Sequence, residues 1–155
     1  MKKIIIYFTY IFILFVNFSI VAAIEEGKWV FVKDTNYCYI GSSPEKSELP
    51  EGKKRGDTYI LVYRINNSND AVIQFEAGYP LKKNNDVVFN IDNSQFNFFS
   101  EDETAWTNED QKVIFSMKKG NVLIVKGESS KGTKTKDVYT LKGFTAAFNK
   151  LFNDC

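Results

Sequence analysis

Past a predominantly apolar segment from Ile4 to Val21, the chain breaks into short segments of alternating apolar and polar positions. Period-two alternation over about four to eight residues, bounded by turn formers, is the signature of a β-strand. "KWVFVK" (28–33) and "NYCYIG" (36–41) are rich in β-branched and aromatic residues and flank the turn-prone "DTN". "DTYILVYRI" (57–65) puts Tyr59, Leu61, Tyr63 and Ile65 on one side, with Ile60, Val62 and Arg64 on the other. The same reading marks "AVIQFEAGY" (71–79), "DVVFNI" (86–91), "QFNFFS" (95–100), "NVLIVKG" (121–127) and "TKDVYTL" (135–141) as strands. Between the second and third strands, "SSPEKSELPEGKKRG" (42–56) reads as a polar loop broken by Pro44, Pro50, Gly52 and Gly56.

Two segments carry helical spacing instead. "TNEDQKVIFSMKKG" offers Thr107 or Asn108 as a cap, acids at 109 and 110, lysines at 118 and 119, and Gly120 as the stop. That order matches the charge preferences of the two helix ends. In "GFTAAFNKLFNDC", Phe144, Phe148, Leu151 and Phe152 recur at i, i+4, i+7 and i+8, one apolar face of a short closing helix. Short strands at hairpin spacing with two small helices predict an all-β fold. The expected form is an antiparallel β-sandwich or flattened barrel with one inserted short helix and a C-terminal helix.

The leading run is read as a signal peptide, residues 1–23, leaving 24–155 as a single β domain. Lys2 and Lys3 precede the apolar stretch, and Val21 and Ala23 occupy the positions a signal peptidase reads, so cleavage is expected after Ala23. The rival is an uncleaved anchor, since a run of about 18 residues can span a bilayer. Cleavage removes two lysines and no acid, so 20 basic residues become 18 against 19 acidic ones. A domain of near-zero net charge has no overall field to draw it to nucleic acid or to an anionic membrane.

Export changes what the cysteines mean. Only Cys38 and Cys155 are present, and in an oxidising compartment two thiols are expected to pair. A bridge between them would tie down a terminal helix too short to be stable alone. The alternative is a redox-active or intermolecular thiol; no C-x-x-C occurs and neither cysteine begins a helix.

"CYIGSSP", "RGDTYILVYRI", "EAGYP", "ETAW" and "MKKGNVLIVKGESSKGTKTKDVYTLKGFTAAFNKLFNDC" follow one another in an order that resembles the invasion-associated locus B family, secreted envelope proteins of alphaproteobacteria. The resemblance spans nearly all of 24–155, and "SSKGTKTKDVYTLKGFTAAF" is its most specific part. It implies an exported β-rich domain in the periplasm, the outer envelope or outside the cell, linked to virulence through host-cell invasion. It carries both family cysteines onto Cys38 and Cys155 and supplies no active site. Some members hold a further cysteine just after the first-strand tryptophan; here Trp29 is followed by Val30, Phe31 and Val32, which leaves no partner for a second bridge.

The chemistry-bearing residues agree with a binding protein. The chain has no histidine, which removes Ser–His–Asp and Cys–His systems and the commonest zinc ligand. No catalytic residue, cofactor or metal is expected. Carboxylates in "EKSELPE" and "EDET" leave a carboxylate-dependent hydrolase as a distant rival. A periplasmic small-ligand carrier, with a cavity between sheets opening near Trp106, is the nearer one. Lys126, Lys131, Lys134 and Lys136 crowd one hairpin against a single Glu128 and form a possible partner surface for an envelope or host protein. Arg64 shares a strand face with Ile60 and Val62, and Trp106 closes "ETAW"; each is a possible ligand contact or core anchor. Arg55-Gly56-Asp57 spells an integrin-recognition tripeptide, though Gly56 and Asp57 equally suit the turn before a strand.

Overall fold

The structure, a computed structural model, describes residues 24–65 and 67–155; the segment read as a signal peptide lies outside them. Its elements are β1 (Val30–Lys33), β2 (Tyr37–Ser42), β3 (Lys46–Glu48), β4 (Tyr59–Ile65), β5 (Val72–Glu76), β6 (Val87–Ile91), β7 (Ser94–Glu101), β8 (Thr104–Trp106), α1 (Asp110–Lys119), β9 (Val122–Glu128), β10 (Lys134–Thr140) and α2 (Phe144–Asn153). The strands form one sheet in the order β1-β2-β4-β5-β8-β7-β6-β9-β10-β3, and every pairing is antiparallel. Of the two expected forms the sheet takes the barrel-like one, a curled half-barrel with the inserted helix and the C-terminal helix in place.

Two bent segments produce the curl. In β7, Ser94–Phe98 pairs with β6 while Phe99–Glu101 pairs with β8, so one strand turns a corner between two parts of the sheet. The other corner lies where β2 runs into β3. β2 sits beside β1 at one end of the sheet, and β3 pairs with β10 at the other. Between them, the Glu45 N–H donates to the Val138 carbonyl at 2.8 Å. Trp29 reinforces this closure: its indole N–H donates to the Thr140 carbonyl at 2.9 Å and its ring meets Phe144 edge-on at 4.8 Å.

The inner face is packed by Ile40, Ile60, Val62, Phe75, Phe89 and Phe98, with Tyr139 from β10. Phe89 stacks on Phe98 at 3.9 Å and receives the edge of Phe75 at 6.0 Å. Helix α1 begins later than either predicted cap. Thr107 Oγ1 accepts the Glu109 N–H, and Asp110 accepts the Ile73 N–H of β5 at 2.8 Å, pinning the helix start to the sheet. The lysines of its last turn and the stop at Gly120 are as read.

Helix α2 lies on β1, β2 and β4. Phe144, Ala147, Phe148 and Leu151 are buried beneath it. Phe152, expected on the same face, stays 40% exposed and lies instead against the Arg64 guanidinium, 4.5 Å from its ring centre. Arg64 also donates to the Leu151 carbonyl at 2.7 Å and to the Ser68 carbonyl at 2.5 Å. These contacts clamp the last turn of α2, where the helix dipole favours a cation. Cys38, fully buried in β2, bonds to Cys155 with a Cα–Cα distance of 5.9 Å. The bridge and the arginine hold the same helix end from two neighbouring strands.

The bridge joins residues 117 apart in sequence, so chain entropy assigns it about 5 kcal/mol at most. Equilibrium unfolding in guanidinium is expected to show a loss approaching that value for the Cys38→Ser, Cys155→Ser pair. Arg64→Met should cost about 1–3 kcal/mol and speed amide exchange first at 150–154. Uniform exchange along the chain would contradict the clamp.

Candidate binding face

Each strand has two sides, and the cross-strand register shows which rows face outward. Val32, Tyr39, Tyr63 and Val72 lie side by side across β1, β2, β4 and β5. The next row is Val30, Gly41, Leu61, Gln74, Trp106 and Phe99, reaching as far as β7. Tyr37 pairs with Ile65 at one end; Tyr59, Glu76, Thr104 and Glu101 form the row at the other. Among the described residues no helix covers these positions; α1 and α2 pack on the opposite side, against Ile73, Arg64 and their neighbours. Of the two apolar sides of β4, the aromatic one therefore faces solvent.

This outer face is apolar and wet at once. Ile65 is 62% exposed, Phe99 46% and Tyr37 41%, while Tyr39, Tyr59, Leu61 and Tyr63 are half-buried. Tyr37 and Tyr39 stack at 6.1 Å and Tyr63 meets Trp106 edge-on at 6.4 Å. Tyr37, Tyr39, Tyr59, Leu61, Tyr63 and Ile65, with Ile24, Asn36 and Gln74, line an open depression of about 630 Å³. Trp106 does not enter the core. Its neighbour Ala105 is the buried residue of β8, and the indole N–H donates to Thr104 Oγ1 at 3.0 Å. The core anchor is Trp29.

Carboxylates stand around the tyrosines. Partial burial raises the phenol of Tyr59, and the nearby charges of Glu76 and Asp57 raise it further. Burial likewise raises Tyr63, with Asp110 adding to it, and Tyr39, with Tyr37 and Asp34 adding to it. Glu76 is itself pushed up, by burial and then by Glu103, against a backbone hydrogen bond from Gly78. With their titration raised, the phenols of Tyr39, Tyr59 and Tyr63 stay neutral hydrogen-bonding groups at ordinary pH.

The lysines form a separate region on β9 and β10. Lys126 and Lys136 are cross-strand neighbours, and Lys134 pairs with Glu128 in register. All three line a hollow of about 560 Å³ with Glu48, Asn85 and Asp86. Lys131 sits at the hairpin tip beside a different depression, with Lys53, Lys54 and Arg55. Glu48 meets both Lys46 and Lys136 at 3.2 Å, and Glu128 meets Lys82 at 2.7 Å, so of the four hairpin lysines Lys136 is held in an ion pair.

The tripeptide at 55–57 has a structural role. The Arg55 side chain is only 6% exposed and pairs with the fully buried Asp137 through two nitrogens; one also donates to Ser47 Oγ at 2.9 Å. Ser47 donates to Asp137 at 2.7 Å, so the arginine ties β3 to β10. A guanidinium held this way is not presented to a receptor. Strand β3 itself lies inside the stretch read as a loop. Its three residues, Lys46, Ser47 and Glu48, are all exposed, a polar edge strand with no apolar alternation to reveal it.

A comparison with protein families matches residues 33–152 to Invasion associated locus B (IalB) protein. The chain belongs to the IalB family. Among solved structures it is similar to the crystal structure of invasion associated protein b from Bartonella henselae. The two share 11% identity over 80% of this chain and 96% of that one, with a TM-score of 0.56, a likeness of fold. A search of curated proteins found no match. The IalB match begins at the end of β1 and takes in β2, β4, β5 and β8, the strands whose outer sides make up most of the aromatic face.

Removing one partner of a buried ion pair costs about 3–5 kcal/mol. Asp137→Asn is expected to fall in that range by chemical denaturation, while Asp57→Asn, in the same tripeptide region, should be near neutral. Equal, small effects would show that the Arg55 pair does not hold the sheet's end strand.

Proposed function

We propose that this IalB-family chain is an exported envelope protein that acts by binding another protein, without a catalytic step, through the outer aromatic face of its curled sheet. The observation that carries the reading is the placement of Tyr37, Tyr39, Tyr63, Ile65 and Trp106 on solvent-facing positions of strands fixed by a packed core. A contiguous exposed patch of this kind, edged by polar groups, is characteristic of an interaction site. Tyrosine and tryptophan are enriched at interface centres, where lysine is depleted. That contrast favours this face over the lysine hollow, whose charges are exposed and partly paired. The disulfide suits an oxidising compartment, and the name of the family points to a partner met during invasion, on a host cell or in the bacterial envelope. Among the described residues no helix is long and apolar enough to cross a membrane.

Photo-crosslinking amino acids placed singly at Leu61, Ile65, Lys126 and Lys131 in living cells test the reading. Capture of one protein band is expected at 61 and 65 and not at 126 or 131. The Tyr39→Ser, Tyr63→Ser variant should fold normally, since both rings lie outside the core, yet lose binding by about 30-fold or more, the scale of a hot spot. Capture confined to the lysine positions would overturn the assignment.

A further inference from the structure

The aromatic face has a charge character of its own. None of its strand positions on β1, β2, β4, β5, β8 or β7 is lysine or arginine, although the chain carries 20 basic residues. Acids stand along its edge, and the basic groups that share a depression with its residues, Arg55 and Lys112, are already paired with Asp137 and Glu109. Glu76 is the cross-strand partner of Tyr59 and Asp57 shares a depression with it; the Asp34 N–H donates to the Tyr37 carbonyl at the start of β2, and Asp110 accepts the Ile73 N–H next to Val72, the cross-strand partner of Tyr63. Among the described residues the carboxylates in ion pairs are Glu25, Glu48, Glu109, Glu128 and Asp137, so none of those four acids has a basic partner. The rings are equally unmet. Cations lie over Tyr79, Phe115, Phe148 and Phe152, and, among the described residues, over no ring of the outer face.

Tyrosine and tryptophan rings attract a cation through their negative faces, and carboxylates at the rim add long-range attraction of the same sign. An acidic partner would be repelled, and a neutral one would leave the acids without a counter-charge. We infer that the occupant of this face is a protein segment carrying lysine or arginine, its cationic heads over the tyrosine and tryptophan rings and its charge met by the rim carboxylates. This rests on the aromatic face being the binding site. In a second copy of the chain Lys136 and Lys82 are already engaged by Glu48 and Glu128, and self-pairing is one of the outcomes the test distinguishes.

Selection of dodecapeptides from a random display library on the purified chain, with its disulfide formed, tests the inference. Enriched peptides are expected to carry several lysines or arginines. Their affinity should fall by about tenfold or more in Asp57→Asn, Glu76→Gln protein, and should also fall as salt rises. They should not bind the Tyr39→Ser, Tyr63→Ser variant. Peptides that need the two tyrosines but are neutral or acidic would overturn the inference and leave the face standing as a site. Peptides that bind that variant as well as the parent would remove the face itself. Failure to enrich any peptide overturns the inference, as does tyrosine-dependent self-association in sedimentation, which would make a second copy the occupant.

Discussion

The covering of one side of the sheet by α2 is the constraint on which the remaining arrangement depends. A helix of ten residues has little stability of its own, and here three unlike interactions hold it down. Phe144 and Leu151 bury apolar surface, Arg64 supplies a cation to its carbonyl end, and Cys155 is bonded to Cys38 in β2. Because β4 offers apolar side chains on both faces, hydrophobicity alone leaves its orientation undecided. The helix settles it: Ile60 and Val62 go under the helical layer, and the tyrosine row is left to water.

A second constraint keeps the curl in place. The chain from β2 to β3 crosses between the two ends of the sheet, so an error at one end would be felt at the other. The Arg55–Asp137 pair fixes that crossing with Ser47 as a shared partner. Buried ion pairs add little net stability compared with apolar packing; what this one supplies is a register, since a one-residue slip of β3 would separate Ser47 from both charges. Tyr139 lies in the same buried region, where loss of solvent and then the nearby Asp137 charge keep its phenol neutral. The polar content of this core is concentrated at the one place where the sheet must close.

These two constraints leave the molecule with two differently charged surfaces on one rigid frame. The outer side of β1, β2, β4, β5 and β8 is aromatic, free of cations at its strand positions and edged with unpaired acids. The β9–β10 side carries lysines already interleaved with Glu48 and Glu128. Specificity in a binding protein comes as much from the partners it repels as from those it attracts. Membership of the IalB family places this frame among proteins named for invasion.

Much of this was legible in the linear chain. Eight of the ten strands, both helices and the pairing of the two cysteines follow from local alternation, end signals and simple counting, because those features are set by neighbouring residues. The two missed strands, β3 and β8, are three residues each, too short for a period to show. The sequence also separated the Tyr59–Tyr63 side of β4 from the Ile60–Val62 side, and singled out Arg64 and Trp106. It had no means of saying which side is buried, since both are apolar and the deciding partner, α2, lies some eighty residues further on. For the same reason Arg55, which looked like part of an exposed tripeptide, has as its true partner Asp137, a distant charge that only folding brings within reach. Periodicity is a local property and was determined by the sequence; the choice between two apolar faces is a competition among remote segments, and that was decided only by the tertiary structure.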